Sequence, residues 1–556
     1  MTPSPDGPPT RGGIRGNPWA VLIALCLGFF MILLDTTIVN VAIPDIIDKV
    51  GTSLDEALWV VNAYVLVYAV LLISAGRLGD IVGPRTMFMA GLVVFVVASA
   101  ACVLSQSPGQ LIAARAVQGV GGAMLTPQTL TILTTIFPRE RRGAAFGIWG
   151  AVAGVATVTG PTLGGYLVTE WDWRWIFFVN LPVGVIALVL AVVLVPDLRP
   201  GRKHRLDLLG VALASAGLTA LTYGLLEGER YDWGTIRGFV SIPAVLVLGV
   251  VLLAAFAVWQ RVQRSEPLLP FEVFRDRNFT LTSIVAAALT FGMLGIFLPL
   301  TIYLQTVLDL TALEAGLTIA PMPLVAMVLA PLAGRLADRI GGKYLLVAGL
   351  LLFAGGIGAV VATTGPDSGR WDFLAGLLVA GLGMGFIFAP LQTVSMRDIP
   401  PRLAGSASGV QNTIRQLGGV IGGAVVGAVL QNRLASALHD QAQAHAAQLP
   451  APFRDRFVDG FDRAASGGLQ LGTGQSGADI DLPKDLDPQT AEQVGRLAHD
   501  VFVQAYVDAM HPTLAVPIAV LAAAGLACLG ISRHRRSPTS PPPPTDDREP
   551  AGHTAD

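Results

Sequence analysis

Runs of about twenty apolar residues, separated by short charged connections, recur along almost the whole of this 556-residue chain. A run of that length crosses the hydrocarbon core of a bilayer as an α-helix, which satisfies its own backbone hydrogen bonds where no water is available. Read with a window of about 19 residues, the sequence predicts fourteen helices. They lie near 18–43, 57–76, 86–106, 109–134, 143–168, 175–195, 207–226, 238–260, 279–303, 315–334, 343–364, 372–395, 405–430 and 511–531. Hydrophobic residues make up 53% of the chain and charged residues only 14%, where soluble domains carry about a quarter charged. The expected fold class is an all-α polytopic membrane protein, with the lipid bilayer as a partner.

The basic residues orient it. The N-terminal tail, every second connection and the C-terminal tail together hold 24 lysines and arginines, counting Lys343 at the edge of its span. The alternate short connections hold 5. Basic residues in short loops stay in the cytoplasm, so both termini are expected inside. The net charge of −2 averages over loops on two sides of a membrane and carries no nucleic-acid signal. Cys26, Cys102 and Cys528 fall within predicted helices without the paired spacing of a metal site, and no metal is expected. Residues 1–17 and 532–556 are expected to be disordered cytoplasmic tails, the first uncleaved. Residues 431–510 form a long outside loop whose two ends look helical around a Gly-rich centre, which suggests a small external helical cap.

One residue breaks the apolar pattern of the first helix. Asp35 is the single charge between Pro18 and Ile43, and a carboxylate at that depth is costly unless it is neutral, paired or facing water. The seven histidines lie in loops, tails or at a helix edge, so carboxylates are left to carry protons within the membrane. Two readings of Asp35 stand: a proton carrier, or a carboxylate held permanently by neighbours such as Asn40, Thr36 and Thr37. Arg115, six residues into the fourth helix, lies at a compatible depth. It either snorkels to the interface or faces the interior, where its charge would favour ionised carboxylate. Sequence does not decide whether the two meet.

The chain also repeats itself. Residues 75–83 read AGRLGDIVG and residues 333–341 read AGRLADRIG, six identities in nine at an offset of 258 residues. Duplicated bundles with a substrate site between them are a common transporter plan. An offset of eight predicted helices implies two six-helix bundles, 18–195 and 279–531, with two inserted helices over 207–260. With LDTTIVNVAIP (34–44), GRLGDIVGPR (76–85), RAVQGVGGA (115–123), GPTLGGYL (160–167) and WRWIFFVNLP (173–182) in this order, the chain resembles the major facilitator superfamily. Within it, the resemblance is to the fourteen-span drug:proton antiporters.

That resemblance implies roles for the motifs. Gly76, Arg77, Asp80, Gly83 and Arg85 would form a cytoplasmic latch, with Asp80 meeting a helix N-terminus and the arginines pairing with carboxylates. Asp338, between Arg335 and Arg339, would be its second copy. Gly154, Gly160, Pro161, Gly164 and Gly165, with Gly150, match the antiporter pattern; spaced small residues are equally a packing seam. Arg115 would face the central cavity. Phe30, Asn40, Tyr64, Gln118, Trp149 and Phe297 are expected to line the substrate cavity. Gln411, Asn412 and Arg415 join that list, with structural hydrogen bonding an open alternative. The function implied is proton-coupled export of lipophilic, aromatic or cationic small molecules by alternating access, in a bacterial cytoplasmic membrane. Export of an endogenous lipid, siderophore or secondary metabolite is the alternative, and a non-transporting sensor a more distant one. No enzyme activity, cofactor or oligomer is expected: the chain has no GxxxxGK[ST] phosphate loop, leaving the proton gradient as the energy source.

Overall fold

A computed structural model describes residues 17–197, 207–231, 233–238, 240–263, 267–400, 403–449, 451–466 and 488–532. Most of the two expected tails, the connection 198–206 and the Gly-rich centre of the outside loop lie outside the described residues. Seven helices open the chain: α1 (Pro18–Val50), α2 (Leu54–Val82), α3 (Pro84–Leu104), α4 (Pro108–Ile136), α5 (Arg142–Glu170), α6 (Trp175–Phe178) and α7 (Asn180–Leu194). Their ends follow local chemistry. Asn17 caps the first turn of α1 beside Pro18, and Gly51 closes it in the left-handed region at φ 68°. A capping box joins Ser53 and Glu56 at the start of α2. Gly83, at φ 102°, supplies the turn into α3 that a side chain would resist.

Two helices, α8 (Leu208–Glu227) and α9 (Ile242–Val262), follow, joined by a short β-hairpin (Thr235–Arg237 and Val240–Ser241). They pack on each other, and α8 docks on α2. The second half comprises α10 (Glu272–Arg275), α11 (Arg277–Ile302), α12 (Ala312–Ile319), α13 (Pro321–Ile340), α14 (Lys343–Thr363), α15 (Leu374–Gly385) and α16 (Phe388–Ser395). It ends with α17 (Ala404–Ala446), α18 (Ala451–Ser466) and α19 (Pro488–Ala527). Among the described residues, thirteen helices are long and apolar enough to cross a membrane. Helix α4 stands outside that set although it spans 29 residues. Arg115, Gln118, Gln128 and a run of threonines make it polar, and α2 and α3 enclose it.

Several helices outrun their expected limits. Helix α1 continues through Pro44 to Val50, and α17 and α19 project well beyond the apolar runs that predict them. Among the described residues of 431–510, most continue α17 and α19, and α18 adds a further helix. Leu434, Leu438, Ala442 and Ala446 recur every fourth residue and bury against Val494, Leu497, Val501, Phe457 and Phe461. That periodicity extends the helix beyond its apolar run and packs it against α18 and α19.

The two halves meet through α2 against α17 and α5 against α13. Backbones touch there because the residues are small. A Cβ on Gly76 would lie 2.6 Å from the Gly405 carbonyl oxygen, and one on Gly147 would lie 2.5 Å from that of Ala330. A Cβ on Gly334 would overlap the Gly143 carbonyl. All these contacts lie in the half of the molecule that holds the α2–α3 turn, the side on which α1 begins. A Gly334→Val variant should therefore hold the bundles apart on that side. Spin labels at Arg141 and Arg339, both exposed, should report longer separations than in the parent protein; an unchanged distance distribution would contradict this packing.

Candidate functional site

Asp35 and Arg115 meet. Both are 0% exposed, and Arg115 Nη1 donates to Asp35 Oδ2 at 2.5 Å. The other carboxylate oxygen accepts from Gln118 Nε2 at 2.8 Å and from Asn180 Nδ2 at 3.0 Å. The guanidinium is satisfied in turn: Nε donates to the Val60 carbonyl at 3.0 Å and Nη1 to Gln118 Oε1 at 2.6 Å. Its plane lies 4.4 Å from the centre of the Tyr64 ring and 5.7 Å from that of Phe177. Gln118 also donates to Ser99 Oγ at 2.8 Å. One buried charge pair thus ties together α1, α2, α3, α4, α6 and α7. Removing one member of such a pair leaves an uncompensated charge, at a cost of about 3–5 kcal/mol.

The surroundings differ from the sequence-based expectation in specific ways. Asn40 does not serve Asp35: it is exposed, and its amide turns back to the Thr36 carbonyl at 3.2 Å. Thr36 and Thr37 likewise bond to carbonyls of their own helix, a local satisfaction that short hydroxyl side chains readily find. Asn180 takes the place expected for Asn40. The sequence signal for it is an asparagine within an apolar run, two residues ahead of Pro182. Arg115 does not snorkel. Tyr64 stacks on Tyr68 with centroids 5.8 Å apart, and Trp149 stacks on Phe29 at 4.1 Å. Both are buried in the core, while Phe30 is partly buried beside Leu34 and Trp173. Phe297 is 47% exposed on α11, apart from this cluster. Gln411 and Asn412 are buried on α17, and Arg415 is half-buried one turn after Gln411.

The duplicated motif makes duplicated contacts. Asp80 accepts from the backbone amides of Gly405 and Ser406 at 3.1 and 2.9 Å, and from the Ser406 hydroxyl at 2.6 Å. Asp338 accepts from the amides of Gly143 and Ala144 at 2.8 and 3.1 Å. Each carboxylate of one half thus caps the first turn of a helix in the other half, where unpaired amides and the helix dipole favour negative charge. Arg85 departs from expectation. It donates to the Val192 carbonyl at 2.8 Å rather than to a carboxylate, joining α3 to α7 within one bundle. Arg77 is buried at this same end of α2.

Helix α5 lies between the two sites. Gly154 abuts the Pro323 carbonyl of α13, whereas Gly160 and Gly164 press on Thr37 and Ile38 of α1. Pro161 approaches Gly316, and a Cβ on Gly165 would meet open space. One side of α5 therefore touches the turn of α1 next to Asp35, and the other touches the second bundle.

Residues 25–423 match the Major Facilitator Superfamily. The chain belongs to this family. It is 37% identical over 418 residues to the multidrug resistance protein Stp of Mycobacterium tuberculosis, covering 75% of this chain and 76% of that protein. It is 34% identical over 432 residues to the tetracenomycin C resistance and export protein of Streptomyces glaucescens, covering 77% and 79% respectively. The fold is similar to that of the human organic anion transporter MFSD10, with a TM-score of 0.54 at 14% identity over 91% of this chain and 99% of that one. As a facilitator-superfamily member it is a transporter of small molecules, not an enzyme, and a multi-pass protein of the bacterial plasma membrane.

Two outcomes follow from these contacts. Arg115→Ala should melt well below the parent, because it leaves the Asp35 carboxylate buried without its counter-charge. Adding Asp35→Asn to that variant should recover part of the loss; a double variant no more stable than Arg115→Ala would contradict the pairing. Asp80→Ala removes three hydrogen bonds to a charged acceptor, each contributing about 1.5–3 kcal/mol. It should increase labelling of a cysteine at the neighbouring buried Ala407 by a water-soluble maleimide; labelling equal to that of the Ala407→Cys parent would contradict these contacts.

Proposed function

We propose that this protein exports lipophilic, aromatic small molecules from the cytoplasm in exchange for protons, by alternating access within a single chain. The observation that carries the reading is the buried Asp35–Arg115 pair. Protonation of Asp35 cancels one charge and leaves the other in a medium of low dielectric, so the protonated pair favours a different arrangement of α1 and α4. That is the two-state element an exchanger requires. Helix α5 relays it: the face touching Thr37 follows α1, and the face touching α13 follows the second bundle.

With the Lys/Arg-rich side in the cytoplasm, the Asp80 and Asp338 contacts hold that side shut. The state described here is then closed to the cytoplasm, with Asp35 toward the outer end of α1, where external protons arrive. The pair is sealed from water, so proton exchange accompanies movement of the bundles. A membrane potential of 100 mV supplies about 2.3 kcal/mol per charge moved, without nucleotide or cofactor. The drug and antibiotic exporters among the relatives support the outward direction. Arg115 already occupies the Asp35 carboxylate, so that acid offers no free partner to a cationic substrate.

The decisive measurement uses the full chain in liposomes loaded with a pH-reporting dye, challenged with lipophilic aromatic compounds under an imposed pH gradient. The parent should show substrate-evoked proton flux. Asp35→Asn should lose it by at least about tenfold, the effect of some 1.4 kcal/mol, while still inserting and eluting as a single species. Unchanged proton flux in that variant would remove Asp35 from the mechanism.

A further inference from the structure

The charges inside the two bundles do not balance. Asp35 and Arg115 neutralise each other. Arg415 lies eleven residues into α17, about 16 Å along the helix axis and hence deep in the span. Its guanidinium makes no hydrogen bond or ion pair with any described residue, and its Nε is buried without a partner. One turn earlier, Gln411 is 1% exposed and neither its amide nitrogen nor its amide oxygen has a partner. At a spacing of four residues the two side chains share one helix face.

Neighbouring contacts place that face. Gly418 and Gly422 abut Ala287 and Phe291 of α11, Thr290 of α11 donates to the Arg415 carbonyl, and Gly405 and Gly409 abut α2. Ile421, which is exposed, lies about 120° around the helix from Arg415. Gly419 abuts Thr290 and Leu294 of α11 as well, so Arg415 lies on the packed side of α17, turned away from Ile421 and toward α11. An uncompensated cation and an unsatisfied amide at this depth are both expensive. They persist where a ligand completes them.

We infer that Arg415 and Gln411 form a binding site for an anionic group of the transported molecule, a carboxylate, phenolate or sulfonate on an aromatic body. This rests on the efflux reading above and names its substrate class. A planar guanidinium binds an oxyanion through paired N–H donors, and the Gln411 amide adds a further donor. Aromatic acids then outrank lipophilic cations, for which the same position is repulsive.

Three probes sharing one apolar body separate the possibilities: pyrenebutyrate (anionic), pyrenemethanol (neutral) and pyrenemethylammonium (cationic). Binding to the full-length protein in nanodiscs, read by fluorescence anisotropy, tests the inference independently of transport. Pyrenebutyrate should bind at least about tenfold more tightly than pyrenemethylammonium. Arg415→Gln should weaken pyrenebutyrate about tenfold, consistent with loss of a charged hydrogen bond, and should leave pyrenemethanol within about twofold. Arg415→Lys, which keeps the charge and loses the fork, should fall between and serves if the glutamine variant does not fold. Tighter binding of the cation, or equal weakening of all three probes, overturns the inference. Anion binding without gradient-driven flux of any probe would instead sink the efflux reading and leave this site standing.

Discussion

In the hydrocarbon interior a carboxylate and a guanidinium are each unstable alone, and Asp35 and Arg115 remove that instability only in contact. The contact demands more than the pair. Asp35 needs acceptors filled on both oxygens, which brings in Gln118 and Asn180. Arg115 needs donors used, which brings in Val60 and the Tyr64 face. Satisfying two charges therefore fixes the mutual placement of most helices in the first bundle. It also makes that placement depend on the charges of two side chains.

The remainder of the architecture answers a second constraint. Between helices in a bilayer there is no hydrophobic drive to associate, so contact depends on close fit and on polar groups at the ends. Glycines at positions 76, 143, 147, 334, 405 and 409 bring the backbones of the two halves together. Asp80 and Asp338 each close a helix N-terminus across the interface. Such contacts are dense but short-ranged, and opening by a few ångströms forfeits them together. An interface of this kind favours discrete open and shut states over graded ones.

Much of this was legible in advance. The apolar runs located the helices because length and hydropathy answer to bilayer thickness alone. The repeat at 75–83 and 333–341 announced the paired latches, since the same carboxylate recurs after the same Ala-Gly-Arg-Leu. Asp35 and Arg115 stood out as charges where charge is costly. What stayed hidden depended on partners distant in sequence or on rotamers. Asn40, five residues from Asp35, turned to its own backbone, while Asn180, 145 residues away, took the bond. Arg85 found a carbonyl instead of a carboxylate. Helices α17 and α19 ran on past their apolar runs because Leu434, Leu438 and Ala442 kept their period and stayed buried beyond them.

From the chain alone came the membrane class, the arrangement of basic connections, the doubled bundle and the residues whose charge demands an explanation. These follow from solvation, a property of each segment by itself in a given medium. Tertiary structure decided which charge answers which. It joined Asp35 to Arg115, left Arg415 without a counter-charge among the described residues, and set α5 between the ion pair and the second bundle. Those outcomes turn on distances of about 3 Å between segments far apart in sequence, and such distances exist only once the helices have packed.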